Sequence, residues 1–135
     1  MKGKGFLSIF FSIILCFFPS NNLGGVAHDV QVDNTAKYAG SGRYDWTVYV
    51  VAGEDTLKQI KLVEYTLHPT FPVPVHQINT RGTKCPFSFS SNGWGEFSIR
   101  VRIVFNDDTV ETTNYWLKLF EKSKQNDDRC RETKK

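Results

Sequence analysis

The sequence predicts one all-β domain, an antiparallel β-sandwich of immunoglobulin-like type. Three observations lead there. Apolar residues recur at every second position in several short runs, the period of a strand with one buried face. Gly, Pro, Asn and Asp cluster between those runs, at intervals that suit the turns of a small sandwich. The chain has 135 residues, 40% hydrophobic and 14% aromatic, which suits a single packed core and leaves no room for a second domain of ordinary size.

Residues 1–27 read as an export signal: Lys2 and Lys4, then the apolar run Phe6–Phe18, then Gly25-Val26-Ala27 at the cleavage position. The apolar run is shorter than the roughly 20 residues a helix needs to span a bilayer. The expected product is therefore secreted or periplasmic and begins near His28. The alternative is a chain anchored in the membrane by residues 6–18, and membrane contact is expected only if the segment stays uncleaved. Residues 28–43 are polar, without a sustained apolar period, and read as a leader with at most one edge strand near Val30 and Val32.

The domain is expected over residues 44–121. Trp46, Val48 and Val50 alternate with Thr47, Tyr49 and Val51, and Ala52-Gly53-Glu54-Asp55 turns the chain. Ile60–Leu67 is a second strand whose apolar parity switches between Leu62 and Val63, which a β-bulge accommodates. His68–Pro74 holds three prolines, which lack the amide donor of a sheet ladder, so it is a shaped loop. Val75–Thr80 and Phe87–Phe89 are short strand candidates, and Asn92-Gly93-Trp94-Gly95 is a glycine-flanked loop. Phe97, Ile99, Val101, Ile103 and Phe105 share one face of the clearest strand. Asn106-Asp107-Asp108 turns into a partner strand on which Tyr115, Leu117 and Leu119 share a face. Residues 122–135 carry no apolar side chain except Cys130 and read as a disordered charged tail.

Charge and motif content exclude several functions. The formal net charge is +3, and loss of Lys2 and Lys4 with the signal leaves 15 basic against 14 acidic residues, too even for a nucleic-acid binder driven by charge. No Gly-x-Ser-x-Gly, Gly-x-Gly-x-x-Gly or phosphate-cradling loop occurs, so the expectation is a binding domain, not an enzyme, with no cofactor. His28, His68 and His76 do not combine with cysteines at zinc-site spacing, and no metal is expected. Cys85 and Cys130 could pair in an oxidising compartment. Cys130 lies in the polar tail, however, and nothing in the sequence brings the two Cα atoms together, so the expectation is against a bond.

Two loops carry more than a connector needs: Leu67-His68-Pro69-Thr70-Phe71-Pro72 and Asn92-Gly93-Trp94-Gly95-Glu96-Phe97. Both fall at strand ends, where a sandwich clusters its binding loops, and Phe71 and Trp94 are large aromatics off the alternating core faces. They either plug the end of the sandwich or form a site. The run LHPTFPVP, followed by NGWGEF and an alternating strand, resembles the YEATS domain family, and Tyr44-Asp45-Trp46-Thr47-Val48 is similar to that family's Asp-Trp strand. The export signal and small size suggest the prokaryotic type.

That resemblance implies a module that binds acylated lysine on a protein or peptide. Phe71 and Trp94 would form two ring walls around the acyl amide. The Thr70 hydroxyl and the Trp94 main-chain N–H would donate to its carbonyl, His68 and Phe97 would shape the pocket, and Gly93 would permit a close turn. The sequence departs from the family around Gly42 and Arg43, where a further aromatic is usual and only Tyr44 is near enough to substitute. The competing expectation is a structural or protein-interaction sandwich of the cell envelope with no small-ligand pocket. An outer apolar face including Val104, Trp116 and Phe120 would mark it.

Overall fold

The computed structural model describes residues 28–130, in which seven strands form two antiparallel sheets. The expected signal segment lies outside the described residues. β1 (Gln31–Gly40), β2 (Arg43–Val51) and β5 (Phe89–Gly93) make one sheet in the order β1-β2-β5. β3 (Ile60–Thr66), β4 (Val75–Ile78), β6 (Ser98–Phe105) and β7 (Val110–Trp116) make the other, in the order β4-β3-β6-β7. This is the immunoglobulin-like sandwich that the alternation predicts.

Parity places the core where expected. Trp46, Val48 and Val50 of β2 face Val63 and Tyr65 of β3 and Ile99, Val101, Ile103 and Phe105 of β6 in one buried cluster. Burying each such side chain contributes roughly 1.5–3 kcal/mol. The register between β3 and β6 shifts between Ile60 and Leu62, the irregularity that the parity switch in Ile60–Leu67 requires. Tyr65 is fully buried, and its hydroxyl donates to the Phe87 carbonyl at 2.7 Å, so no polar atom is stranded there. The β6–β7 hairpin turns on Asp108, held at φ 66°.

Several expectations need correction. The polar leader over residues 28–43 contains a ten-residue strand, β1, paired along β2 from Gln31↔Val51 to Gly40↔Arg43. Its buried Asn34 is satisfied mainly by distant partners. Buried Asn34 donates through Nδ2 to the Thr35 and Lys118 carbonyls and accepts at Oδ1 from Tyr115 Oη and the Lys118 N–H. The tail is also ordered as far as Cys130. It forms a short 3-10 helix at Lys122–Gln125, and Lys122 pairs with Asp33 at 2.9 Å.

Cys130 bonds to Cys85, with the two Cα atoms 5.3 Å apart. The expectation of free thiols fails because this fold-back is set by contacts across the molecule and not by composition. The turn expected at Ala52–Asp55 leads into a six-residue helix, α1 (Glu54–Gln59), which buries Leu57. Phe87, expected in a strand, adopts φ 50° ahead of β5, while Asn92 and Gly93, expected in a loop, close that strand.

The outer apolar set does not form one contiguous patch. Val104 pairs with Val110 at one end of the β6–β7 ladder and Trp116 with Ser98 at the other, roughly 20 Å away at strand rise. Phe120 rests edge-on against Tyr44 of the opposite sheet.

Candidate ligand-binding site

Three connections meet at one end of the sandwich: the β1–β2 turn, the β3–β4 loop and the β5–β6 loop. In the β3–β4 loop, the Leu67 N–H donates to the Pro74 carbonyl at 2.7 Å and closes the base. Inside it, the Phe71 N–H donates to the His68 carbonyl at 3.0 Å, a turn that projects Thr70 outward.

The β5–β6 loop is secured from the other side. The Leu117 N–H donates to the Phe97 carbonyl at 2.9 Å. The Glu96 carboxylate accepts from the N–H groups of Leu119 at 2.8 Å and Phe120 at 3.2 Å, and from the Trp116 indole at 3.3 Å. Partial burial pushes the Glu96 pKa up, and those three donors outweigh it and hold the carboxyl below its usual range.

Between these loops lies a cleft of about 560 Å³, within the size range of small-ligand sites. All six expected site residues, His68, Thr70, Phe71, Gly93, Trp94 and Phe97, line it. Their environments differ. Trp94 is 74% exposed, whereas Phe71 is half-buried, edge-on to Trp46 at 6.5 Å and tilted on Phe97 at 5.3 Å. Phe71 thus both caps the core and offers a ring to the cleft, while Trp94 plugs nothing.

The polar groups are equally distinct. Thr70 Oγ1 sits 2.9 Å from His68 Nδ1, on the exposed side of the loop. Gly93 adopts no left-handed φ, so the close turn expected of it is not its role. It packs over the core instead: a Cβ there would sit 3.6 Å from the Trp46 indole nitrogen and 3.9 Å from Phe71, in ordinary contact. That indole N–H is buried and has no hydrogen-bond partner among the described residues.

Tyr44 does not supply a further aromatic. It packs between Tyr38 and Phe120, away from the cleft, which Arg43 lines instead. Arg43, Asn92 and Glu96 are lining residues that sequence reasoning did not single out. Asn92 and Glu96 lie inside the quoted NGWGEF motif, whereas Arg43 carried no local signal.

The profile of the prokaryotic YEATS domain family matches residues 44–118. The chain belongs to that family. The match begins at Tyr44, so β1 lies outside the matched segment although it pairs with β2 along its length. Among curated YEATS relatives, the AF-9 homolog of Eremothecium gossypii is 36% identical over 97 residues, covering 64% of this chain and 45% of that protein. The AF-9 homolog of Saccharomyces cerevisiae is 32% identical over 106 residues, covering 70% and 45%. The chain thus spans under half the length of these relatives.

Solved YEATS structures superpose on it. The yeast AF-9 homolog Yaf9 gives a TM-score of 0.60 at 31% identity, covering 71% of this chain and 74% of that one. The Yaf9 YEATS domain recognizing an H3K122suc peptide gives 0.55 at 29%, covering 73% and 81%. The Yaf9 YEATS domain bound to H3K27ac gives 0.55 at 29%, covering 70% and 78%.

Proposed function

We propose that this YEATS domain is a non-enzymatic module that binds the acylated lysine side chain of a protein or peptide in the cleft between the β3–β4 and β5–β6 loops. The observation that carries this reading is the convergence of Phe71, Trp94 and the Thr70 hydroxyl on one open cleft. Acylation removes the lysine charge, so the chain can enter an apolar slot. Its amide must still find hydrogen bonds, because an unsatisfied buried polar group costs about 1–3 kcal/mol. The Thr70 hydroxyl and the Trp94 main-chain N–H are the donors assigned to that carbonyl. The Phe71 and Trp94 rings contribute roughly 0.5–1.5 kcal/mol each if an amide plane stacks as an aromatic pair does. Binding of this kind is weak and reversible.

The same proposal places the domain outside the cytoplasm, after cleavage near Ala27. The Cys85–Cys130 bond supports that compartment, because disulfides persist in oxidising surroundings. Cleavage there would turn the His28 N–H, which donates to Glu111 at 3.0 Å, into an ammonium group facing that carboxylate.

Calorimetric titration with acetyl-lysine and crotonyl-lysine peptides tests the binding role. Saturable heat that is lost in Trp94→Ala supports it, and no heat at millimolar peptide rejects it. Amino-terminal sequencing of the protein from an extracytoplasmic fraction tests export. A start near His28 is expected, and a full-length soluble cytoplasmic product would overturn it.

A further inference from the structure

His28 stands at the end of the sandwich opposite the cleft, beside the turn that joins β6 and β7. Its ring stacks on Phe105, the last residue of β6, with centroids 4.0 Å apart and planes at 25°. Its main-chain N–H donates to Glu111 Oε1 of β7 at 3.0 Å. Asp107, in the turn, is near as well: its carboxyl is held low chiefly by the Thr109 hydroxyl and N–H, with a smaller contribution from the charge of His28.

Side chains alone make no metal cluster here, since among the described residues no group of three or more His, Cys, Asp or Glu is placed to hold an ion. Cleavage near Ala27 supplies a further donor. It converts the His28 nitrogen from a peptide N–H, whose lone pair is delocalised into the carbonyl, into an α-amine whose lone pair is free to bind. The amine and the imidazole Nδ1 of one residue then close a chelate ring around a single ion. Two donors at right angles on a metal, each about 2.0–2.2 Å from it, stand about 3 Å apart. The His28 nitrogen and Glu111 Oε1 are 3.0 Å apart, the spacing of neighbouring ligands.

Building on the export reading above, we infer that the processed N-terminus is a copper(II) site, in which the His28 amine and Nδ1 chelate the ion and Glu111 is a further ligand. Nitrogen and oxygen donors suit Cu(II), which stands at the top of the affinity order for divalent first-row metals. Without metal the amine is an ammonium facing Glu111, so binding releases its proton and replaces that ion pair. The site lies roughly 25 Å along β6 from Phe97 at strand rise, which makes it separate from the cleft.

The test takes the processed protein from an extracytoplasmic fraction, establishes by sequencing that it starts at His28, and titrates it with Cu(II) in competition with glycine. One Cu(II) per chain is expected, with nitrogen hyperfine coupling in its electron paramagnetic resonance spectrum. His28→Ala removes one arm of the chelate and should weaken binding about a hundredfold or more. Glu111→Gln should weaken it about tenfold. The 135-residue chain left uncleaved keeps the imidazole and Glu111 but lacks the amine, and it should lose as much as His28→Ala. A processed protein that starts at His28 and binds no Cu(II), or whose affinity either His28→Ala or loss of the amine leaves unchanged, would overturn the inference and leave export standing. Unchanged affinity in Glu111→Gln would overturn the assigned ligand set. A mature product that starts elsewhere would overturn both the site and the cleavage near Ala27.

Discussion

Thr70 Oγ1 lies 2.9 Å from His68 Nδ1, and the Thr70 main-chain N–H donates to the same nitrogen at 3.3 Å. A nitrogen that accepts from the main chain is an acceptor for the hydroxyl as well, so the Thr70 hydroxyl donates to His68 until a ligand carbonyl takes over as its acceptor. Thr70→Val keeps the shape and removes the donor. It should weaken acyl-lysine binding about tenfold, the worth of one hydrogen bond, and Thr70→Ser should restore it. Because Thr70 is exposed, unfolding midpoints in urea should stay within about 0.5 kcal/mol of wild type. Equal affinity of the Val variant would remove Thr70 from the site.

Phe71 and Trp94 separate stability from binding. Trp94 is 74% exposed, so Trp94→Ala should abolish measurable peptide binding while changing unfolding free energy by less than about 0.5 kcal/mol. Phe71 packs on Trp46 and Phe97, and truncating this half-buried ring should cost roughly 2 kcal/mol of stability in addition to affinity. Equal stability losses in the two variants, measured by urea titration, would contradict this division.

Acid should loosen the site end of the sandwich. Depressed carboxyl pKa values add stability above the unfolded-state value, and that stability is lost as pH falls through the folded-state value. Glu96, with an ordinary value of 4.5, is the group concerned at the β5–β6 loop. At Asp33, with an ordinary value of 3.8, burial works upward but is outweighed by Lys122, the Asn34 N–H and Tyr115. Unfolding free energy should therefore decline as pH drops below about 4.5, and Glu96→Gln should make that decline shallower. An unchanged slope in the variant would exclude Glu96 as a contributor.

Reduction should release the C-terminal segment. The Cys85–Cys130 bond closes a loop of sequence separation 45, for which chain entropy gives about 4 kcal/mol as an upper figure. Cys85→Ser, or a reducing agent, should lower stability by about 2–4 kcal/mol, read as a shift in urea midpoint. Hydrogen exchange should then rise in residues 117–130 before the strands of the core. Uniform loss of protection would show that the segment is not separately tethered.

The site was legible in part because its aromatic residues sit against pattern. Phe71 and Trp94 interrupt loops rich in Pro, Gly, Asn and Thr, so their placement called for a reason beyond chain reversal. Arg43 carried no such signal. It is one charged residue among many, and only the left-handed turn at Gly40–Gly42 and the Asn92 contacts bring it to the cleft.

By itself the sequence determined which faces of β2, β3 and β6 turn inward, where the bulge falls and where the β6–β7 hairpin turns, because side-chain alternation and turn chemistry act between near neighbours. Only the tertiary structure decided that a polar stretch would form β1, that the charged tail would fold back, and that Cys130 would meet Cys85. Those outcomes rest on Asn34 meeting Lys118 and Tyr115, and on Lys122 meeting Asp33, partners more than 80 residues apart. Polar burial is decided by such long-range satisfaction, which no local pattern records.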